Sequence, residues 1–281
     1  MSGTFLEEMA AASRARVRAA RQLISEAVLE ERARHCPAPP PLTLAAEGFD
    51  VIAELKLRSP AAGQLASGAE NLAPRARAYA GAGAAVVSVL TEPARFDGAL
   101  EHLIEAQQAL TPLAVPVMRK DFLVEPYQVL EARVAGAGGV LVILRLLSRE
   151  ATAALIDCAR SCGLFVLLEA FDAADLELMH QIVAADRGGV ALLAGVNCRD
   201  LATLEVVPER LVELAPLLPA SVPRVAESGL ATAADARRVA LAGYDLVLVG
   251  SALMRARDPA VLLQALLAAG RAARCERGRV S

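Results

Sequence analysis

The segment VPRVAESGLATAADARRVALAGYDLVLVGS, residues 222–251, decides the fold of this chain. It contains two short apolar runs, VPRVAE at 222–227 and DLVLVG at 245–250, with a helix-length segment between them. Gly243 stands just before the second run, at the kind of position where a left-handed glycine ends a helix. Because the runs are apolar on both faces, they are typical of parallel strands covered by helices. The segment therefore predicts a β-loop-α-loop-β unit.

The same unit recurs along most of the chain, and successive strands start roughly 23 to 35 residues apart. Eight such units predict an α/β protein with a (β/α)8 TIM barrel. A doubly wound sheet is the alternative, but the residues after the first strand contain no glycine-rich fingerprint. The predicted strands cover 50–55, 85–90, 115–119, 139–144, 164–169, 192–197, 222–227 and 245–250.

A helical extension precedes the first strand. Residues 4–35 read as an amphipathic helix with a possible break near its middle, and the proline-rich segment 37–41 ends it. We predict a single domain over 1–281, with the extension at 1–45 and the barrel at 49–273. The apolar residues of the extension predict one stripe that folds over the barrel mouth; they are Phe5, Leu6, Met9, Val17, Leu23, Ile24 and Val28.

Composition excludes several classes of function. The net charge is −3 and the pI is about 5.8, which gives no basic face for nucleic acid. No apolar run approaches the ~18 residues of a membrane span, and no signal peptide is evident. The five cysteines form no CxxC motif and no zinc-type spacing, so we predict reduced thiols, no metal and a cytoplasmic protein.

Lysine is rare in this chain. Of the 29 basic residues only Lys56 and Lys120 are lysines. Both follow predicted strands directly, at the edge where a TIM barrel carries its active site. A lysine can release a proton whereas a guanidinium stays charged, so the two positions are candidates for proton transfer.

Other polar residues end the same strands. Three carboxylates and two amines that converge on one barrel mouth favour an acid–base site, whereas the alternative is a set of ion pairs that merely caps the barrel. The three histidines lie away from the strand ends. The polar residues at the predicted strand ends are Glu54, Lys56, Ser88, Arg119, Lys120, Asp121, Glu169, Asn197, Arg199, Glu227, Ser228 and Ser251.

The ends of the last two strands indicate a phosphate site. GluSerGly at 227–229 and ValGlySer at 249–251 each aim backbone N–H groups toward one place, where TIM barrels often bind phosphate. Glycine at 229 and 250 permits a close approach of the backbone. We therefore predict a phosphorylated small-molecule substrate.

Several segments together resemble the indole-3-glycerol-phosphate synthase family. They are AELKLRSP, SVLTEPARFDGALEHL, VMRKDFLVEPYQVLEARVAGAG, GVNCRDLATLEV and VAESGLATAADARRVALAGYDLVLVGSALM. The likeness covers nearly the whole chain, in order, including the helical extension. It implies a carboxy-lyase of tryptophan biosynthesis that works without metal or organic cofactor. This lyase converts 1-(2-carboxyphenylamino)-1-deoxyribulose 5-phosphate to indole-3-glycerol phosphate, CO2 and water.

The resemblance also implies roles for individual residues. Lys120 is the expected general acid, Glu169 the group that moves protons as water leaves, and Lys56 a cation and a candidate second acid. Glu54, Glu227 and Asn197 are expected to position these groups or the substrate, and Arg199 to bind the anthranilate carboxylate. The remaining expected substrate contacts are Ser59, Ser88, Phe96, Phe122, Ser228, Gly229, Gly250 and Ser251.

The chain departs from the family pattern at a few places. Ala61 and Ala62 replace a hydroxyl and a basic residue of the first loop, Phe171 stands where histidine is usual, and Cys198 where asparagine or serine is usual. No expected catalytic position is lost. Two alternatives remain open, another phosphate barrel such as a phosphoribosylanthranilate isomerase and a catalytically idle relative that senses a ligand or serves as a scaffold. We expect a monomer or weak homodimer without nucleic-acid or membrane partners.

Overall fold

Eight parallel strands close into a barrel in the computed structural model, which describes residues 4–46, 48–59, 63–66, 71–200 and 203–278. Each strand pairs with its neighbours in the chain, and β1 closes the ring by pairing with both β2 and β8. The predicted TIM barrel is confirmed, with strand ends within two residues of those expected. The strands are β1 Asp50–Leu55, β2 Val86–Leu90, β3 Val117–Lys120, β4 Gly139–Ile143, β5 Phe165–Ala170, β6 Leu192–Asn197, β7 Arg224–Glu227 and β8 Leu246–Val249.

Helices surround the barrel and connect successive strands. Their ends follow local signals, as in α10, where Thr232 and Asp235 form a capping box and Gly243 ends the helix with a φ of 106°. The helices are α1 Phe5–Leu23, α2 Glu26–His35, α3 Ala73–Gly81, α4 Pro93–Phe96, α5 Leu100–Leu110, α6 Pro126–Val134, α7 Arg149–Ser161, α8 Ala173–Ala185, α9 Glu209–Leu214, α10 Ala233–Ala242, α11 Ser251–Arg255 and α12 Pro259–Gly278. A short antiparallel pair, Arg58–Ser59 with Gly63–Gln64, follows β1.

The side chains of each barrel strand alternate between two apolar clusters. One cluster fills the barrel interior and includes Ile52, Met118, Leu167 and Leu248, all nearly inaccessible to solvent. The other lies between strands and helices and includes residues such as Val51. This alternation decides which residues at the strand ends reach the mouth from inside the barrel.

The extension forms two helices that meet at Ser25, so the predicted break is confirmed. Ser25 caps α2, and its Oγ accepts a hydrogen bond from the N–H of Val28 at 3.5 Å. Met9 packs into the interior cluster at the mouth, while Val17 packs with Leu29 of α2 against α6. The single stripe predicted for the extension is wrong around the break, because apolar residues on both sides of Ser25 face solvent. Leu23 is 86% exposed and Val28 45%.

Candidate active site

A cavity of about 850 Å³ lies at the carboxyl ends of the barrel strands. All the predicted site residues except Ser88 line it, although they come from widely separated parts of the chain. Those that do are Glu54, Lys56, Ser59, Phe96, Lys120, Phe122, Glu169, Asn197, Arg199, Glu227, Ser228, Gly229, Gly250 and Ser251.

Lys120 stands at the centre of the charged groups in this cavity. Its Nζ donates hydrogen bonds to Glu169 Oε1 at 2.9 Å and to Glu227 Oε2 at 3.2 Å. Asn197 Nδ2 donates to the same Glu169 oxygen at 2.9 Å. We call Lys120, Glu169, Glu227 and Asn197 the Lys120 cluster. Its side chains reach the mouth from β3, β5, β6 and β7, so closure of the barrel is what brings them together.

Burial and charge separate the protonation states of this cluster. Burial alone would lower the pKa of Lys120, but the carboxylates of Glu169, Glu227 and Glu54 outweigh it and raise that pKa. Burial opposes ionisation of Glu169 too, yet the Lys120 ammonium holds its pKa below the usual range. For Glu227, burial together with the neighbouring Glu169 raises the pKa well above the usual range. The cluster therefore combines a lysine that holds its proton tightly, a Glu169 carboxyl that ionises more readily than usual and a Glu227 carboxyl that ionises less readily.

A second pair lies across the mouth. Lys56 Nζ and Glu54 Oε2 form an ion pair at 2.5 Å, with side chains 14% and 3% exposed. Both residues belong to β1 or directly follow it, and the alternation along the strand turns both toward the interior. Each lysine of the chain therefore has at least one buried carboxylate as its partner.

Ser88 lies in the barrel interior rather than in the cavity lining. It is fully buried on β2, level with Glu54 and Met118 of the neighbouring strands, while Leu90 of the same strand reaches the cavity. A rise of two residues along the strand separates the serine from the mouth. Its Oγ has no hydrogen-bond partner in the described part of the chain.

The segments for which a phosphate site is predicted lie at the edge of the same cavity. Ser228 and Gly229 have positive φ values of 69° and 67°, which turn the chain sharply after β7. Gly250 and Ser251 follow β8 and line the same cavity. Positive φ is uncommon for serine, so the turn is a strained feature at the mouth.

An aromatic group forms another wall of the cavity. Phe122 contacts Phe96 with ring centroids 6.2 Å apart, and Phe5 of α1 meets it edge-on at 5.9 Å. Phe5, one of the apolar residues that the sequence placed at the mouth, also lines the cavity. Phe171, the departure noted in the sequence, is buried beneath the guanidinium of Arg145 at 4.7 Å from its ring centroid.

Arg119 does not reach the cavity, although the sequence placed it at the same strand end as Lys120. The alternation of β3 turns it to the outer side, where its guanidinium contacts Thr91 Oγ1 at 3.2 Å, the Gln128 carbonyl at 2.9 Å, Glu131 at 3.1 Å and Asp121 at 3.2 Å. We call Arg119 and these four residues the Arg119 cluster. Its placement with the polar residues of the barrel mouth is therefore wrong.

The Arg119 cluster connects the extension to the residues that follow Lys120. Arg16 of α1 pairs with Asp121 at 2.7 Å, and Ser13 donates a hydrogen bond to the Phe122 carbonyl at 2.5 Å. Gln128 in turn donates to Ser13 Oγ at 2.9 Å. Because Asp121 and Phe122 directly follow Lys120, helix α1 supports the segment that presents this lysine.

Arg199 is held at the cavity edge by its own loop. Its N–H donates to Asn197 Oδ1 at 3.0 Å and its guanidinium to the Leu204 carbonyl at 2.8 Å. The sequence reasoning missed Arg255, which lines the cavity one helical turn after Ser251. That spacing was visible in the sequence. Ala61 and Ala62 lie outside the described residues.

The described residues contain no helix that is long and apolar enough to cross a membrane. Within the same ranges, no group of three or more His, Cys, Asp or Glu side chains has a geometry that could hold a metal ion. His35, His102 and His180 lie on α2, α5 and α8, away from the cavity lining.

The fold and the site together define a (β/α)8-barrel enzyme with a lysine–carboxylate site at its mouth. Comparison with known proteins identifies the group within that class, because the family model for indole-3-glycerol phosphate synthase matches residues 6–266. The chain belongs to this family.

Individual relatives support the same assignment. A protein of Mycobacterium avium (strain 104) named indole-3-glycerol phosphate synthase is 41% identical over 273 residues, which cover 95% of each chain. One of the same name from Mycolicibacterium smegmatis is 41% identical over 275 residues, or 96% of each chain.

Solved structures show the likeness of the fold alone. The 3-hexulose-6-phosphate synthase of Salmonella typhimurium superposes with a TM-score of 0.58 at 16% identity, over 81% of this chain and 99% of that one. The thiamine phosphate pyrophosphorylase of Pyrococcus furiosus gives 0.55 at 16% identity, over 80% and 96%.

Proposed function

We propose that this chain catalyses the indole-3-glycerol phosphate synthase reaction, in which 1-(2-carboxyphenylamino)-1-deoxyribulose 5-phosphate closes to indole-3-glycerol phosphate with loss of CO2 and water. The observation that carries the proposal is the Lys120 cluster, a buried ammonium hydrogen-bonded to two carboxyl groups at the base of the cavity. Such a set separates acid from base by environment, which is the arrangement that proton-transfer chemistry requires.

The cavity has a suitable contact for each part of the substrate. The phosphate binds the backbone N–H groups after β7 and β8, at the sharp turn of Ser228 and Gly229 and at Gly250 and Ser251. The anthranilate ring packs on Phe96 and Phe122. Arg199 binds the ring carboxylate by exchanging its hydrogen bond with the Leu204 carbonyl.

Ring closure consumes one proton, and Lys120 supplies it. The aromatic carbon that bears the carboxylate attacks the keto carbon, and the keto oxygen takes a proton from the Lys120 ammonium as the new bond forms. Loss of CO2 then returns its electron pair to the ring. The raised pKa of Lys120 keeps the amine protonated before each turnover.

Loss of water needs a second acid and a base. Lys56 protonates the departing hydroxyl, and Glu169, whose low pKa leaves it ionised, accepts the proton that the intermediate releases. Glu227, Glu54 and Asn197 hold these three groups in place through the hydrogen bonds and ion pair described above. Ser88 lies in the barrel interior and makes no contact with substrate in this mechanism.

We further propose that the extension, residues 1–45, limits access of water to the mouth of a single domain whose barrel begins at residue 49. Phe5 lines the cavity and contacts Phe122, and Met9 packs beside them in the interior cluster. We propose a cytoplasmic location, which five free thiols favour, and a monomer or weak homodimer. Size-exclusion chromatography with light scattering tests the oligomeric state.

The direct test of the proposed function is incubation of purified protein with the anthranilate-ribulose phosphate while indole fluorescence is recorded. We expect the fluorescence to rise with one CO2 released per indole formed. Folded protein that produces neither signal would contradict the proposal and leave the idle relative as the better interpretation.

A further inference from the structure

Gly250 lies beside the Glu54 carboxylate as well as at the predicted phosphate site. A Cβ built at this position would overlap Glu54 Oε2, and it would lie 2.8 Å from the Cδ of Glu54 and 3.0 Å from the Cε of Lys56. The φ of Gly250 is −121°, which lies outside the left-handed region that favours glycine. The missing side chain is therefore explained by the neighbouring carboxylate, independently of any ligand.

The same arrangement occurs once more in the barrel. On β6, a Cβ at Gly195 would overlap Glu227 Oε1 of the neighbouring strand, and it would lie 3.0 Å from a methyl carbon of Leu167. In each case a buried carboxylate occupies the space beside a glycine, which lies on the adjacent strand for Gly195 and directly after it for Gly250. The two carboxylates are the partners of Lys56 and Lys120 respectively.

The oxygen that a side chain at position 250 would displace, Glu54 Oε2, is the one that pairs with Lys56. Glu54 Oε2 both pairs with Lys56 Nζ at 2.5 Å and occupies the space above Gly250. Glu54 is 2% exposed and lines the cavity, so a side chain at 250 would push its carboxylate away from the position in which it pairs with Lys56. Any group placed at 250 must displace the carboxylate, the lysine or the strand end itself.

We propose that Gly250 is a positioning residue for the Glu54–Lys56 pair. The segment after β8 that is proposed to bind phosphate then also fixes a catalytic amine. This rests on the proposed function for the meaning of Lys56, but the geometric claim stands on the residues alone. A consequence is that substitution at 250 impairs turnover through Glu54, in addition to any effect on phosphate.

A double-variant cycle tests the coupling. Gly250→Ala should lower kcat by about tenfold or more, since a misplacement of about 1 Å can cost on the order of 10²-fold. Glu54→Asp shortens the side chain by one methylene and vacates the space above residue 250. The double variant should then have a higher kcat than Gly250→Ala alone, whereas independent losses would multiply.

Gly229→Ala is the matched control. Gly229 also belongs to the predicted phosphate site, but its Cβ would meet Val206 and Cys198 rather than a carboxylate. Glu54→Asp should give no recovery in that background. Recovery there too would mean that Glu54→Asp loosens the whole mouth and would overturn the specific link to Gly250.

A second readout needs no turnover. The chain has only two lysines, so limited acetylation with acetic anhydride followed by mass spectrometry reports on Lys56 and Lys120 separately. In Gly250→Ala, Lys56 loses its buried carboxylate partner and should react several-fold faster, while Lys120, which keeps Glu169 and Glu227, changes much less.

The outcomes separate the two proposals. If the wild type forms no indole product, the proposed function fails, and the acetylation of Lys56 still decides the role of Gly250. Multiplicative losses in kcat, or unchanged acetylation of Lys56 in Gly250→Ala, would overturn the positioning role. If Gly250→Ala does not fold, the double variant should fold, and unfolding of both would contradict the proposal.

Discussion

Arg119 and Lys120 are neighbours on one strand, yet they belong to different parts of the molecule. Lys120 points into the barrel and meets Glu169 and Glu227 in the cavity. Arg119 points outward and joins four polar groups behind the strand. The inner residue is placed for chemistry and the outer one for attachment of helix α1. A charged residue at the end of a barrel strand therefore acquires its role from the face of the strand that it occupies.

The largest expected effect is on kcat, when the carboxylate partner of Lys120 is changed rather than that of Arg119. Glu169→Gln should lower kcat by about 10²–10⁴-fold, because it removes the group that accepts a proton beside Lys120. Glu131→Gln changes the outer partner of Arg119 in the same way and should keep kcat within about threefold, as its side chain lies away from the cavity. Steady-state kinetics on both variants measures the two changes. Equal losses of kcat would contradict the view that only the inner face of β3 takes part in the chemistry.

Arg119→Lys should act on stability. Lysine keeps the charge, but its single nitrogen cannot reach all four acceptors that the three guanidinium nitrogens contact, so buried acceptors lose their partners. We expect the free energy of unfolding to fall by about 1–3 kcal/mol, with kcat measured below the melting temperature almost unchanged. Denaturant titration measures the free energy of unfolding and steady-state kinetics measures kcat. A large loss of kcat with unchanged stability would place Arg119 in the mechanism.

Helix α1 offers the same contrast along one element. Phe5→Ala removes an aromatic wall of the cavity and should raise KM by about three- to tenfold, which corresponds to an aromatic contact worth about 0.5–1.5 kcal/mol. Val17→Ala, on the part of α1 that packs against α6, should lower the melting temperature and leave KM unchanged. If both variants change only the melting temperature, the extension serves packing and does not cover the mouth.

The smallest expected effect concerns pH. The pKa of Glu227 is raised above the ordinary 4.5, so the native state binds a proton more tightly than the unfolded chain, and stability from this group falls as pH rises above 4.5. Glu227→Gln removes that loss because glutamine does not titrate. The variant should therefore gain stability relative to wild type as the pH is raised from acid to neutral, and melting curves recorded across that range measure the gain.

Glu169→Gln should change the pH dependence of stability in the opposite direction. The pKa of Glu169 is lowered, so its contribution to stability is present above pH 4.5 and is lost as pH falls through the lower native value. The variant should lose stability relative to wild type at neutral pH, and the difference should shrink in acid. Melting curves across pH that moved both variants in one direction would contradict the assigned protonation states.

Much of the architecture followed from sequence because each βα unit repeats the same local signals. The face of each charged residue did not, since barrel strands are apolar on both sides and offer no polar alternation from which to read the phase. Arg119 was therefore grouped with Lys120, and Ser88 was counted among the strand ends although it lies in the barrel interior. The apolar stripe of the extension placed Phe5 near the mouth, but its contact with Phe122, more than a hundred residues away, follows from no local pattern.

Lys120 delivers the proton that accompanies ring closure in the proposed mechanism, and Lys120→Arg tests this role most directly. Arginine keeps the positive charge between Glu169 and Glu227 but cannot release its proton. Single-turnover indole fluorescence with saturating enzyme, on variant protein whose melting temperature matches wild type, should show ring closure slowed by about 10²–10⁴-fold. A rate within about tenfold of wild type would mean that another group delivers the proton.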